Sequence, residues 1–326
     1  MTIGILGGGV WGSALAKLLS SQKVLIYSRD ANTVKSVNEH NFNPKLKYAI
    51  FNQNVRATNT ISDLKDSEYL FLAIPAQNIR EVFKTNNFIN NKVNIVLCSK
   101  GIEISTSKLL TDTITELVKY RSLSVLSGPS FSDEVAQDLP TAVTVATKNK
   151  EDFSKLSLLI KSKAFRIYYS DDLIGCQIGG SLKNIYAIAA GIIHGLNLGE
   201  NAKSALISRS FVEMNRFAKI LGSKKDTIFG LSGLGDLILT CSSLKSRNTQ
   251  FGIKIANIKS VNYEEILNNQ QVTEGYFTVK AVYTIAQEKK IEMPIMESIY
   301  NILYNKYNVN EELNKLLNRP LKDEIF

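Results

Sequence analysis

The sequence contains few of the residues that build metal centres and disulfide frameworks. Three cysteines and two histidines, His40 and His194, occur among 326 residues. Cys98, Cys176 and Cys241 are far apart, each among apolar or small residues, which favours reduced thiols over a disulfide framework or a zinc site. Two histidines are too few for a histidine-based metal centre, so we predict a protein without a bound metal.

Long apolar runs are missing as well, although 44% of the residues are hydrophobic. No run approaches the roughly 18 residues that a membrane-spanning helix requires. The first strand pattern begins at Thr2, which leaves no room for a signal peptide, so we expect a cytoplasmic protein without membrane insertion. A chain of 326 residues is long enough for two domains.

Basic runs with interleaved aromatic residues are absent, although the formal net charge is +9. The lysines are scattered through Asn- and Lys-rich stretches, which argues against a nucleic-acid partner. A positive field attracts small anions instead, such as a phosphorylated substrate and a cofactor that contains pyrophosphate.

The N-terminus carries the most informative pattern. An apolar strand pattern leads into GGGVWG at residues 7–12, and a helical pattern follows. Gly7 would allow a tight turn, Gly9 a close approach of the backbone to pyrophosphate, and Gly12 close packing of helix on strand. The N–H groups at the helix N-terminus would face the anion. We therefore predict a dinucleotide-binding site, the alternative being an ordinary glycine turn in an α/β protein.

The end of the second strand pattern bears on the choice of cofactor. NAD-selective sites usually carry an acid there for the ribose hydroxyls, but this chain has Arg29 followed by Asp30. Arg29 would accommodate the 2′-phosphate of NADP, or lie free in solvent. Asp30 would cap a helix that begins near Ala31. The sequence therefore leaves NAD and NADP open.

The first half of the chain alternates strand and helix patterns. This alternation predicts an α/β fold of the Rossmann type, a doubly wound and mainly parallel sheet that binds its ligand at the carboxyl edge. The strand-like runs are Thr2–Leu6, Lys23–Tyr27, Glu68–Ile74, Val93–Cys98, Leu123–Leu126, Thr141–Ala146 and Phe165–Tyr169.

After about residue 180 the predicted segments are all helical. They are Ser181–Leu196, Ala202–Leu221, Asn248–Ile258, Tyr263–Asn268, Thr278–Glu288 and Ile295–Tyr304. We predict a dinucleotide-binding domain over residues 1–179 and a helical substrate-binding domain over residues 180–326. The boundary would lie near Gly179-Gly180, with the active cleft between the domains.

The first helix predicted for the second half carries an unusual lysine. Ser181 fits an N-cap, and an apolar stripe continues along one face to Leu196. Lys183 would then lie in the first turn, where a cation opposes the helix dipole and has a lowered pKa. A cation at this unfavourable position beside a predicted cleft suggests a catalytic residue. The alternative is an ordinary surface lysine.

Two further polar groups follow along the chain. The glycine-rich segment GLSGLGD ends in Asp236, which would orient or neutralise Lys183, or else cap the next helix. The triplet Ser246-Arg247-Asn248 then combines a hydroxyl, a guanidinium and an amide, a set suited to phosphate oxygens.

Together these segments resemble the NAD(P)-dependent glycerol-3-phosphate dehydrogenases of the bacterial biosynthetic type, over nearly the whole chain. The matching stretches are GGGVWGSALA (7–16), SKGIE (99–103), SGPSFSDEVA (127–136), SLKNIYAIAAG (181–191), GLSGLGDLILTC (230–241), SRN (246–248) and TEG (273–275). The resemblance implies reduction of dihydroxyacetone phosphate to sn-glycerol 3-phosphate by NADH or NADPH, for phospholipid synthesis. The oligomeric state stays open, with a homodimer as one possibility.

The resemblance also implies roles for individual residues. Lys183 would transfer the proton, Asp236 would fix its ammonium group, and Lys100 would contact both cofactor and substrate. The nucleotide would be held by residues of the glycine fingerprint and of later segments: Gly7, Gly9, Val10, Trp11, Gly12, Arg29, Lys100, Ser132, Arg247, Val272 and Glu274. The substrate would be held by Lys100, Gly128, Ser130, Lys183, Asp236, Ser246, Arg247 and Asn248.

Three positions depart from the family pattern. Val10 stands where a small hydroxyl residue is common, Ser13 keeps the hydroxyl of a frequent Thr, and Ser132 replaces a usual Ala.

The nearest alternative family is the β-hydroxyacid dehydrogenases, but that group tends to carry an Asn one helical turn after its lysine, where this chain has Ala187. A non-catalytic sensor of the NADH to NAD ratio is a second alternative, and it would need no catalytic lysine.

Overall fold

A computed structural model describes residues 1–85, 88–160, 162–257, 273–321 and 323–324. Strands and helices alternate up to residue 170, and every regular element of the described chain beyond that point is a helix. None of the helices in these ranges is both long and apolar enough to span a lipid bilayer.

The N-terminal region contains one 8-stranded sheet. The strands are β1 (Thr2–Leu6), β2 (Lys23–Tyr27), β3 (Val55–Thr58), β4 (Tyr69–Leu72), β5 (Asn94–Leu97), β6 (Ser122–Ser127), β7 (Thr141–Thr147) and β8 (Phe165–Ser170). Their order is β3-β2-β1-β4-β5-β6-β7-β8, and neighbouring strands are parallel except for the antiparallel pair β6 and β7. The order reverses between β1 and β4, and ligands of open α/β sheets bind at such a point.

Both faces of this sheet are covered. Ile3 and Ile5 of β1 belong to one core cluster and Leu6 belongs to another, because successive side chains of a strand point to opposite faces. The helices of this region are α1 (Val10–Leu18), α2 (Ala31–His40), α3 (Ile79–Thr85), α4 (Leu110–Leu117), α5 (Ser132–Ala136) and α6 (Lys150–Leu159).

One long helix, α7 (Leu173–Gly195), is the centre of the second region. Its residues from Gly175 to Ile192 are buried, as its largely apolar composition requires. The later helices are α8 (Gly199–Ile220), α9 (Asp236–Ser242), α10 (Arg247–Ala256), α11 (Glu274–Glu288), α12 (Pro294–Tyr304) and α13 (Val309–Leu317). Helices α8 to α12 pack against α7, and α13 packs against α12.

The predicted fold class, a doubly wound and mainly parallel sheet followed by helices, is confirmed. The predicted helix start at Ser181 is wrong, because α7 begins at Leu173 and its N-cap is Asp172, whose carboxylate accepts a hydrogen bond from Gly175 N. The predicted boundary near Gly179-Gly180 falls inside this continuous helix, and the division at residue 179 stays a prediction. The helix predicted over 263–268 lies outside the described residues.

Candidate active site

A buried carboxylate lies between two lysines at the carboxyl edge of the sheet. Asp236, the first residue of α9, has no exposed surface. Its Oδ1 accepts a hydrogen bond from Lys183 Nζ at 2.6 Å, and its Oδ2 accepts one from Lys100 Nζ at 2.6 Å. Lys183 comes from α7 and Lys100 from the loop after β5, so three separate elements meet at this cluster.

The environment of Lys183 is compatible with the proton-transfer role predicted for it. The side chain lies in the interior of α7, with 9% of the residue exposed, so the surface-lysine alternative is wrong. Its Nζ also donates to Thr240 Oγ1 at 3.0 Å. Burial lowers the pKa of Lys183 to about 8, Asp236 opposes that shift, and the Lys100 cation adds to it.

The lowered pKa of Lys183 is thus confirmed, but the predicted cause is wrong. Lys183 does not lie in a first turn, since α7 begins at Leu173, and the helix dipole therefore acts only weakly on it. Desolvation is the larger effect, because removing an ammonium from water disfavours its charged form. The helix-cap alternative for Asp236 is also wrong: Gly235 is the N-cap residue of α9, and the Asp236 carboxylate binds the two lysines.

Two glycines of α7 bring these elements together. A Cβ on Gly179 would lie 2.2 Å from Ser232 O, so only glycine allows the segment before Asp236 to pack against the helix backbone. A Cβ on Gly180 would lie 2.7 Å from Ser127 Oγ and 3.3 Å from Lys100 Cδ. These two glycines, at which we predict a domain boundary, thus also make the close contacts that bring together the elements of the lysine cluster.

The end of β6 supplies the next group of site residues. Gly128 has φ +145°, and its carbonyl oxygen accepts hydrogen bonds from Lys100 Nζ and from Ser130 Oγ, each at 3.0 Å. Ser127 Oγ beside it is buried and has no hydrogen-bond partner in the described chain. The predicted substrate contacts Gly128 and Ser130 therefore lie next to Lys100.

The predicted pyrophosphate site has the expected backbone geometry. Gly7 has φ +128°, and a Cβ on Gly12 would lie 1.9 Å from Gly7 O, so both positions require glycine. Gly9 is the N-cap of α1 and provides no side-chain cap, and a Cβ there would meet no described atom within 4 Å. The first-turn N–H groups at Val10 and Trp11 have no partner within the helix, and the open space beside Gly9 is where we expect an anion.

The end of β2 carries the two residues that bear on cofactor choice. Asp30 is the N-cap of α2 and accepts hydrogen bonds from Asn32 N at 3.1 Å and Thr33 Oγ1 at 2.6 Å, which confirms the predicted cap. Asp30 also pairs with Lys45 Nζ at 2.8 Å. Arg29 is exposed beside it, so a 2′-phosphate contact is sterically open and stays a prediction.

The Ser246-Arg247-Asn248 triplet opens α10. Ser246 Oγ caps the helix by accepting a hydrogen bond from Thr249 N at 3.2 Å, and Arg247 is exposed. Asn248 braces three helices: its Nδ2 donates to Asn184 Oδ1 at 3.0 Å, and its Oδ1 accepts from Gly275 N at 2.9 Å. Half of its hydrogen-bonding capacity is thus already used inside the protein.

The remaining predicted nucleotide contacts come from α5 and α11. Ser132 is the first residue of α5 and is half-buried. Glu274 is the first residue of α11; its Oε2 is buried without a hydrogen-bond partner in the described chain, and burial raises its pKa to about 7. Val272 lies outside the described residues.

The predicted site residues do not include Thr240, which touches the cluster, or Ser181, which lies beside it. Thr240 accepts from Lys183, and its hydroxyl lies one turn after Asp236 on α9, so the i, i+4 spacing was the available signal. Ser181 accepts a hydrogen bond from Gly101 N at 3.0 Å and so ties α7 to the Lys100 loop. No local sequence pattern predicts the hydrogen bond between Gly101 and Ser181.

Known proteins match the chain over nearly its full length. Models described as NAD-dependent glycerol-3-phosphate dehydrogenase N-terminus and C-terminus match residues 2–153 and 172–314. The chain is 42% identical over 325 residues to glycerol-3-phosphate dehydrogenase (NAD(P)+) of Zymomonas mobilis, covering 99% of this chain and 94% of that protein. A protein of the same name from a Thermotoga species is 40% identical over 326 residues, covering 99% and 98%.

A solved structure shows the same similarity in three dimensions. The crystal structure of glycerol-3-phosphate dehydrogenase from Coxiella burnetii superposes with a TM-score of 0.91 at 36% identity. The match covers 98% of this chain and 99% of that one, so both regions of the fold are included.

Proposed function

We propose, on the premise that the chain belongs to the NAD-dependent glycerol-3-phosphate dehydrogenase family, that it reduces dihydroxyacetone phosphate to sn-glycerol 3-phosphate with NADH or NADPH. The observation that carries this proposal is the buried cluster in which Asp236 lies between Lys183 and Lys100. Family membership argues against the β-hydroxyacid dehydrogenase alternative, and the intact lysine cluster argues against a sensor.

Lys183 is the proton donor of the proposed reaction. When bound, NADH or NADPH supplies the hydride that adds to the ketone carbon. The carbonyl oxygen gains negative charge, and the protonated Lys183 amine stabilises that oxygen and transfers a proton to it. In the oxidation direction the neutral amine accepts the proton. Asp236 fixes the amine through the 2.6 Å hydrogen bond.

Lys100 is proposed to contact both ligands. Its Nζ is held by Asp236 Oδ2 and Gly128 O, between the end of β5 and the end of β6. The side chain is 19% exposed, so Lys100 is not fully enclosed by the protein. A cation there neutralises charge on the substrate without donating the transferred proton.

The nucleotide contacts follow the carboxyl edge. The uncapped first turn of α1 would hold the pyrophosphate through its N–H groups, and Gly9 leaves room for it. Arg29 would contact the adenosine ribose or a 2′-phosphate, because its guanidinium is exposed just beyond β2. Ser132 and Glu274 complete the proposed nucleotide contacts, with Val272 and Arg247.

The phosphate of the substrate is assigned to the start of α10. Arg247 supplies an exposed cation and Ser246 a helix-capping hydroxyl, and the N-terminus of α10 attracts an anion. Asn248 keeps one amide hydrogen beyond its bond to Asn184, so its proposed substrate contact accompanies a structural role.

The domain division belongs to the same proposal. Residues 1–179 would bind the dinucleotide and residues 180–326 the substrate, with Lys183 of α7 facing both. Support comes from the separate matches to residues 2–153 and 172–314, although α7 itself continues across position 179.

The cellular setting is also proposed. Three free and buried cysteines support a reducing compartment such as the cytoplasm, and the product supports a role in supplying glycerophospholipid synthesis.

A homodimer is supported by apolar surface on the C-terminal helices, where Leu317 is 73% exposed. Light scattering that gives one chain mass at all concentrations would contradict the dimer.

One assay tests the proposed reaction directly. Purified protein is mixed with NADH or NADPH, and the loss of absorbance of the reduced cofactor is followed on adding dihydroxyacetone phosphate. We expect substrate-dependent turnover with at least one cofactor. Tight nucleotide binding without turnover with either cofactor would support the sensor alternative instead.

A further inference from the structure

The loop that carries Lys100 is fastened to α3 by a buried ion pair. Glu103 lies three residues after Lys100 and is 3% exposed. Its carboxylate accepts hydrogen bonds from Arg80 Nε at 2.7 Å and Arg80 Nη2 at 2.9 Å, a bidentate arrangement that fixes direction as well as distance. Thr106 and Thr113 donate to the same carboxylate, so the charge is well satisfied inside the protein.

Hydrogen bonds favour the ionised form of this pair. Burial raises the pKa of Glu103, but hydrogen bonds from Arg80 and Thr106 outweigh that effect and leave the pKa below its ordinary value. The Arg80 guanidinium donates two further hydrogen bonds to Glu116, from Nη1 at 3.0 Å and from Nη2 at 3.2 Å. Glu116 belongs to α4 and is 42% exposed, so it meets the same cation from outside the Lys100 loop.

Uncharged hydrogen bonds also orient the loop after Lys100. They act in addition to the Arg80–Glu103 ion pair. Gln77 donates through Nε2 to Ile102 O at 2.8 Å and accepts from Ile104 N at 3.0 Å. Gly101 has φ +149°, and a Cβ there would lie 2.7 Å from the Ala76 side chain. The backbone from residue 101 to residue 104 is therefore pressed against the turn that precedes α3.

Lys100 depends on this anchoring more than a shorter residue would. A lysine has a flexible four-carbon stem, so the position of its Nζ is only as well defined as the backbone and contacts that hold it. Loops at the carboxyl edge of a sheet are among the least stable parts of a fold. A shift of about 1 Å in a catalytic group can lower a rate by about 10²-fold.

We propose that the Arg80–Glu103 ion pair is a positioning device that sets Lys100 for ligand binding and turnover. The pair touches neither ligand and acts through the loop backbone. This inference rests on the proposed function, because Lys100 is assigned there to both ligands.

The test uses a variant that removes the charges together. A single substitution would leave a buried charge without its partner and endanger folding, whereas the double variant Arg80→Gln/Glu103→Gln leaves no unpaired ion. Glu116→Gln is the matched control, since it removes a partner of the same guanidinium on the exposed side. Thermal unfolding first establishes the temperature range in which all proteins are folded.

We expect kcat/KM for dihydroxyacetone phosphate to fall about 10- to 100-fold in the double variant and less than about twofold in Glu116→Gln. In a Lys100→Ala background the double substitution should add less than about a further twofold loss, because its effect is transmitted through Lys100. Wild-type kcat/KM in the folded double variant, or losses that multiply with that of Lys100→Ala, would overturn the inference.

A second measurement separates this inference from the proposed reaction. Hydrogen exchange of peptides that cover residues 98–106 should speed up at least about tenfold in the double variant and stay unchanged in Glu116→Gln. Unchanged exchange overturns the positioning role whether or not the protein reduces the substrate. An inactive wild-type protein with the expected exchange pattern overturns the proposed function and leaves the anchor supported.

Discussion

The low pKa of Lys183 predicts a pH profile that an ordinary lysine cannot give. Reduction requires the protonated amine, and burial lowers the pKa of Lys183 to about 8. We therefore expect kcat/KM for reduction to be constant below about pH 7 and to fall as the pH rises through 8. Oxidation requires the neutral amine and should change in the opposite direction.

The size of the effect follows from the titration. With a pKa of about 8, about 91% of Lys183 is protonated at pH 7 and about 9% at pH 9, so the reduction rate falls about tenfold. A lysine with an ordinary pKa of about 10.4 would lose less than about 5% of its protonated form over the same range. The two cases are therefore easily distinguished in one experiment.

The assay measures kcat/KM for dihydroxyacetone phosphate from pH 6.5 to 10, since this constant reports groups of the free enzyme. Lys183→Met should lower kcat by roughly 10² to 10⁴ and abolish the break near pH 8. Lys219→Met, on the exposed face of α8, is the control and should keep both rate and profile. A flat wild-type profile up to pH 10, or an unchanged break in Lys183→Met, would refute the assignment.

Three further predictions concern cofactor choice, stability and substrate. Arg29→Ala should weaken NADPH binding at least about tenfold more than NADH binding, measured by fluorescence titration; equal losses would make Arg29 structural. Asp236→Asn should lower the free energy of unfolding by about 3 kcal/mol, because the buried Lys183 and the partly exposed Lys100 both lose their carboxylate partner, whereas Lys183→Met leaves Asp236 paired with Lys100 and should cost less. Arg247→Ala should raise KM for dihydroxyacetone phosphate, and unphosphorylated dihydroxyacetone should be a poor substrate of the wild type; equal use of both would contradict the phosphate site.

The parts of the fold that depend on local pattern could be predicted from sequence. β1 and β2 have the predicted bounds, because each is a short run of apolar residues with a clear turn after it. β3 was missed, since four residues with alternating burial give little periodic signal. The first helical turns of α7 were missed because glycines at 175, 179 and 180 lower helix propensity, while tertiary packing keeps the helix continuous.

The site shows the same division between local and long-range information. Gly7, Gly12 and the Asp30 cap could be predicted because they act within a few residues of their own position. The contacts of Asp236 with Lys183 and Lys100 join residues that are far apart in sequence, and their geometry required the fold. Asn248 shows why a short motif does not define the contacts of its side chains. The triplet is suited to phosphate, but in the fold the Asn248 amide bonds to α7 and α11.

The charge balance of the cluster explains how a lysine with a low pKa can still act as an acid. Lys100, Lys183 and Asp236 together carry one excess positive charge when both amines are protonated, and Lys100 lowers the pKa of Lys183. A bound phosphorylated ketone brings negative charge to the open side of the cluster, which favours the protonated amine. We therefore expect substrate binding to raise the pKa of Lys183 in the complex, where the proposed mechanism needs a proton donor. The break in kcat should accordingly lie at higher pH than the break in kcat/KM, because the first reports the complex and the second the free enzyme. Coinciding breaks would show that the substrate charge does not reach Lys183.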